Sequence, residues 1–98
     1  MLRHISCLTW KEGTPPEAVA AVEAGLAELL ALIPELRAFS FGPDLGLASG
    51  NADFAIVADL DDADGWRRYQ EHPAHQALLV DRIRPILASR TAAQVQLG

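Results

Sequence analysis

Twice along this chain a short run of alternating apolar residues gives way to a helical apolar stripe, and then alternation returns. Strands present faces with a period of two and helices with a period of 3.6, so the order of these runs limits how layers can stack. Residues 3–10 set Ile5 and Cys7 against His4, Ser6, Leu8 and Trp10, a strand with apolar character on both faces. A turn follows through Lys11–Pro16. Thr14 with Glu17 has the spacing of a capping box, and Pro15 suits a first helical position. The helix expected over about 15–32 carries Val19, Val22, Leu26, Leu29, Leu30 and Ile33 as its inward stripe, and Pro34 stops it. Residues 35–42 form the second strand.

The second half repeats the order. Residues 43–51 are rich in Gly, Pro, Asp, Ser and Asn and form a loop. In the strand over 53–60, Phe54, Ile56, Ala58 and Leu60 face one way and Ala55 and Val57 the other. Asp61 or Asp62 caps a short helix that runs to about Gln70. The chain turns at His72–Pro73 into a helix over about 74–87 with Leu78, Leu79, Ile83, Ile86 and Leu87 inward, and Pro85 loosens its end. Residues 90–97 are the last strand. The length suits one domain, residues 1–98. Two βαβ halves meeting near residue 48, joined by right-handed crossovers, predict an α+β ferredoxin-like fold. Its four-stranded antiparallel sheet carries the helices on one face.

Helices on one face leave the other uncovered. Ile5, Cys7, Ala55 and Val57 lie there, and an exposed apolar sheet face calls for a partner. A second copy, sheet against sheet, solves this with one surface, so a homodimer is expected. Other partners are disfavoured. The net charge is −5 with no basic stripe, which argues against nucleic acid. No run reaches the ~18 apolar residues of a membrane span. His4, Thr9 and Lys11 interrupt any secretory signal near the start, so a cytoplasmic protein is expected. Lys11 is the one lysine among eight cations, which suggests a GC-rich bacterial source. Cys7 is the one cysteine, which excludes an intramolecular disulfide and reads as a small buried hydrophobe.

The residues with chemistry cluster in Tyr69-Gln70-Glu71-His72-Pro73-Ala74-His75. Pro73 pushes His72 out of the α region and makes it an N-cap, so His72 and Pro73 read as a structural turn. His75 falls in the first helical turn, where burial and the helix dipole both favour neutral imidazole. A neutral histidine can accept a proton, and the phenol of Tyr69, one turn away, can donate a hydrogen bond to a developing oxyanion. His4 shares its strand face with Ser6, Leu8 and Trp10, opposite Ile56 and Ala58. That face, with Leu26, Leu78 and Ile86 from the helices, is the expected pocket wall, although a histidine on an apolar face is more often a satisfied core residue than a catalyst. Pro73 argues against placing His72 and His75 on one helical face, so three histidines do not make a zinc site. Gly42-Pro43-Asp44-Leu45-Gly46 lacks the spacing and lysine of a phosphate loop. The acids from Asp59 to Asp64 read as a solvated cap, and Trp10 and Trp66 as packing residues.

The first-strand Arg3-His4-Ile5, Gly13-Thr14-Pro15-Pro16, Phe41-Gly42-Pro43-Asp44, Asp53-Phe54-Ala55 and above all the Tyr69 to His75 motif resemble the stress-responsive A/B barrel family of dimeric α+β barrels. The resemblance covers about residues 2–97. It implies a dimer and no cofactor. It implies no single activity, since most members have none assigned. One activity in the family, cofactor-free aldol cyclisation of a linear polyketide, uses a tyrosine–histidine pair similar to Tyr69 and His75, with a first-strand histidine matching His4. The bulky aromatics on that enzyme's first long helix are replaced here by Val22, Glu23 and Leu26. Two readings follow. One is a homodimer with a small hydrophobic pocket for a small molecule. The other is a cofactor-independent cyclase- or lyase-like enzyme on a carbonyl substrate, with His75 as general base, Tyr69 as hydrogen-bond donor and His4 beside them. A cofactor-free oxygenase is a third, with no residue pointing to it.

Overall fold

A computed structural model describes residues 1–98. Its elements in chain order are β1 (Leu2–Trp10), α1 (Pro16–Leu32), β2 (Ala38–Pro43), β3 (Phe54–Leu60), α2 (Ala63–Glu71), α3 (Pro73–Leu78) and β4 (Leu87–Gln96). The strands form one antiparallel sheet in the order β2-β3-β1-β4, the ferredoxin-like arrangement. The two central strands are the first of each half, as right-handed crossovers require.

Register decides which side chains meet. His4 lies opposite Ala58 on one side and Gln94 on the other; Leu8 lies opposite Phe54 and Arg90. His4, Ser6 and Leu8 of β1 are buried on the helix side with Phe54, Ile56 and Ala58 of β3. Val22, Leu26 and Leu29 of α1, with Ile33 just past its end, close the core from above. Ile5, Cys7, Ala55 and Val57 lie on the opposite face and are half-buried in the single chain. Most of β4 is exposed.

Several expected boundaries shift, each for a local reason. Thr14 does not cap α1. Pro16 forces the residue before it out of the α region, so Pro15 is extended at φ −73° and ψ 152° and the helix begins at Pro16. The Thr14 hydroxyl instead donates to the Lys11 carbonyl at 2.6 Å, and no capping box forms with Glu17. Leu30 lies beside the apolar stripe and is half exposed. In its place Gly25 is buried, and a Cβ there would lie 2.5 Å from Leu78 Cδ1. The strand expected from residue 35 starts at Ala38, because the turn after Pro34 holds Leu36 against Ile33 by a backbone bond of 3.2 Å.

The largest departure follows α3. The helix expected over 74–87 is regular only to Leu78, widens to a π turn over Leu79–Ile83 and tightens to a 3-10 turn over Arg84–Ile86. Pro85 lacks the N–H that would bond the Asp81 carbonyl, and its ring would strike that carbonyl in an α-helix. The strand therefore starts at Leu87, ahead of the expected residue 90. Two expected caps form. Asp62 accepts from the Gly65 amide at 2.8 Å, and His72 Nδ1 accepts from the Ala74 amide at 3.1 Å.

Candidate functional site

A cavity of about 280 Å³ opens between the sheet and the α3-to-β4 segment. Leu8 and Ile56 form its floor, Leu26 and Leu78 one wall, and Leu79, Ile83 and Leu87 another. The polar lining is His4, Tyr69, Gln70, His75, Gln76, Arg84 and Arg90. The α2–α3 corner brings Tyr69 and His75 together: Tyr69 sits in the last turn of α2, and His75 in the first turn of α3. Their ring centroids are 4.5 Å apart, and His4 lies 6.3 Å from Tyr69.

Hydrogen-bond partners fix the histidine tautomers. At His75 the Nδ1 atom is 3.1 Å from the Gln70 carbonyl, which can only accept, so Nδ1 carries the proton and donates. The Nε2 lone pair is then free, with no protein partner. Burial, the largest cause, holds the His75 pKa below its usual value; the Arg90 and His72 charges push the same way, and the Gln70 bond opposes. His75 is thus neutral at pH 7. The expected burial effect is present, and it outranks any charge.

His4 is wired differently. The Trp66 indole N–H, a donor only, points at His4 Nδ1 from 3.2 Å, and the Gln94 amide donates to the same atom at 2.9 Å. Nδ1 therefore holds the lone pair, and Nε2–H donates to the Ser6 hydroxyl at 3.1 Å. Burial first, then Arg90 and His75, lowers the His4 pKa to about 4. Both ring nitrogens are engaged, so His4 lines the cavity as a fixed neutral wall with no lone pair to offer.

Tyr69 is 2% exposed, yet its hydroxyl makes no hydrogen bond within the protein and reaches the cavity. Burial raises its pKa to about 12, against a smaller opposing pull from Arg90. Donor and acceptor are thus both present: a phenol O–H on Tyr69 and a lone pair on His75.

Of the other expected wall residues, Leu8, Leu26, Ile56 and Leu78 line the cavity. Ser6 and Ala58 do not, because their short side chains lie on the sheet beneath longer neighbours, and Ser6 is occupied by His4. Ile86 does not either; the π and 3-10 turns bring Ile83 and Leu87 to the cavity in its place. Sequence reasoning missed Gln70, Gln76, Arg84, Arg90 and the Trp66 and Gln94 bonds to His4. One signal existed: Arg90, Ala92 and Gln94 alternate along β4, and the register of β4 on β1 puts them on the helix side. No group of three or more His, Cys, Asp or Glu side chains is placed to hold a metal ion, and no helix is long and apolar enough to cross a membrane.

The family model described as the stress-responsive A/B barrel domain matches residues 2–96. An uncharacterised protein of Streptomyces coelicolor is 39% identical over 80 residues, covering 79% of this chain and 81% of its own. A dimeric ferredoxin-like protein of unknown function from Thermobifida fusca superposes with a TM-score of 0.91 at 51% identity, over 98% of this chain and 90% of its own. A hydroxynitrile lyase from Passiflora edulis shares the fold, with a TM-score of 0.85 at 15% identity over 99% and 93% of the two chains.

Proposed function

The chain belongs to the stress-responsive A/B barrel domain family, and from that premise we propose that it is a homodimer whose cavity binds a small carbonyl-bearing molecule. One observation carries the reading. Two side chains at least nine-tenths buried, Tyr69 and His75, leave a donor and an acceptor without protein partners beside an apolar cavity. Both atoms face the open cavity and not closed protein, so a polar group of a ligand can reach them while the leucines beside them hold its apolar body. The dimer reading rests on the half-buried outer face around Ile5, Cys7, Ala55 and Val57, and on the dimeric Thermobifida relative.

The size of the cavity limits the ligand. At ~30 Å³ per water molecule it holds about nine waters, so a ligand of about ten non-hydrogen atoms fits. Benzylacetone is a suitable probe: a phenyl ring for the leucine walls and a ketone for Tyr69. Titration into isotope-labelled protein should move the signals of Tyr69 and His75 in a saturable way. Tyr69→Phe should weaken binding about 5- to 10-fold, the loss of one hydrogen bond; the Nε2 lone pair of His75 meets no donor on a ketone, so His75→Ala should weaken binding less. Absence of saturable shifts at the cavity for this ketone and a panel of similar carbonyl compounds would refute the reading.

The tautomer of His75 supports a second reading, proton transfer. Its free Nε2 lone pair could take a proton from the carbon next to a carbonyl, while Tyr69 O–H hydrogen-bonds the enolate oxygen. The Passiflora protein of this fold is named a lyase, but that likeness concerns the fold alone. Exchange of benzylacetone α-protons in heavy water, catalysed by the parent and absent in His75→Ala, is the expected result. An equal rate in both proteins would exclude His75 as the base.

A further inference from the structure

The chain holds thirteen acidic residues against eight lysines and arginines, yet the cavity lining contains no acid and two arginines. Arg3, Arg37, Arg67 and Arg68 each form an ion pair with an aspartate or glutamate. Arg82 donates to the Ala21 carbonyl at 2.7 Å. The remaining two arginines, Arg84 and Arg90, pair with no protein group, and both line this one cavity. They come from separate elements, Arg84 from the 3-10 turn and Arg90 from β4 opposite Leu8 of the cavity floor.

On the reading that this cavity is a ligand site, we propose that it selects anions: its ligand is a small monocarboxylate with an apolar body. Arg90 takes the carboxylate and Arg84 flanks it. The aliphatic or aromatic body rests on Leu8, Ile56, Leu78 and Ile83. A guanidinium presents paired N–H donors that match both carboxylate oxygens, which a ketone or amide cannot fully use. Two cations without counter-ions at one opening attract an anion even though the chain as a whole is negative.

A second observation agrees. The charge of Arg90 lowers the proton affinity of His4, Tyr69 and His75 alike, so its field reaches the centre of the cavity. That field also favours negative charge on an oxygen held by Tyr69. A ligand carrying both a carboxylate and a carbonyl, an oxo acid, would use both halves of the site.

The test compares 3-phenylpropionate with 3-phenylpropionamide, which differ in charge and hardly in shape. Dissociation constants for the protein are measured by calorimetry at pH 7 and low salt, and cavity occupancy by NMR shifts of His75 and Tyr69. The acid is expected to bind at least tenfold more tightly than the amide. The preference should shrink when salt is raised. Arg90→Gln should weaken the acid at least tenfold more than the amide, and Arg84→Gln less so. Equal affinities, with His75 and Tyr69 shifted by both compounds, would overturn the proposal and leave the cavity a ligand site. No shift from either compound, nor from benzylacetone, would overturn both. If Arg90→Gln fails to fold, the acid-to-amide ratio in the parent decides alone.

Discussion

His4 makes the pH dependence of stability predictable. The unfolded imidazole takes its proton near the ordinary value of 6.5, and the folded one only at about 4. Between these values the unfolded chain binds more protons, so stability rises with pH. The stability is fully present above about 6.5 and is lost as pH falls through about 4. A gap of this size corresponds to about 3 kcal/mol. Solvent in the cavity beside the ring screens part of it and leaves about 2 kcal/mol. The perturbation is His4→Asn, which keeps an oxygen to accept from Trp66 but cannot titrate. Urea unfolding of parent and variant at steps from pH 7.5 to 4 measures the effect. The parent should lose about 2 kcal/mol more than the variant over that range. His75 also has a lowered pKa, but it contributes to both proteins and cancels. Parallel pH curves would refute the account of His4 as a buried neutral ring with both nitrogens engaged.

Two other substitutions probe the site. Tyr69→Phe removes a hydroxyl with no protein partner, so unfolding free energy should change by less than about 0.5 kcal/mol while ligand binding weakens; a loss above about 1.5 kcal/mol would mean the hydroxyl is structural. Gly25→Ala puts a methyl group into Leu78, which must move toward the cavity it lines. Overpacking of about 1–3 kcal/mol, offset by about 1 kcal/mol of helix propensity, should leave the variant about 1 kcal/mol less stable and with weaker benzylacetone binding.

The sequence carries the fold plainly because its periods are clean where the core is. β1 alternates over His4–Leu8 and β3 over Phe54–Ala58, and the stripe of α1 needs correction only at Leu30 and Gly25. The His72–Pro73 corner is legible for a local reason: proline sets its neighbour's backbone, and His72 then has a cap to fill. The segment after Leu78 is not legible in the same way. Leu79, Ile83 and Leu87 fit a helical stripe as well as they fit a π turn, and only Pro85 hints at the change. β4 hides its faces because Ala88, Ser89, Thr91, Ala92 and Ala93 give no apolar alternation. Its phase comes from pairing with β1, a long-range fact. Arg90 and Gln94 were therefore invisible as cavity and His4 partners until the register was known. The tautomers are further still from the sequence, since each depends on one distant donor or acceptor.

The central claim is that His75 offers a free Nε2 lone pair to the cavity. The most direct measurement is the ¹⁵N spectrum of the His75 ring at pH 7, before and after adding benzylacetone. The account predicts a neutral ring protonated at Nδ1 with an unprotonated Nε2 in both spectra. A ring protonated at Nε2, or a charged ring, would contradict it.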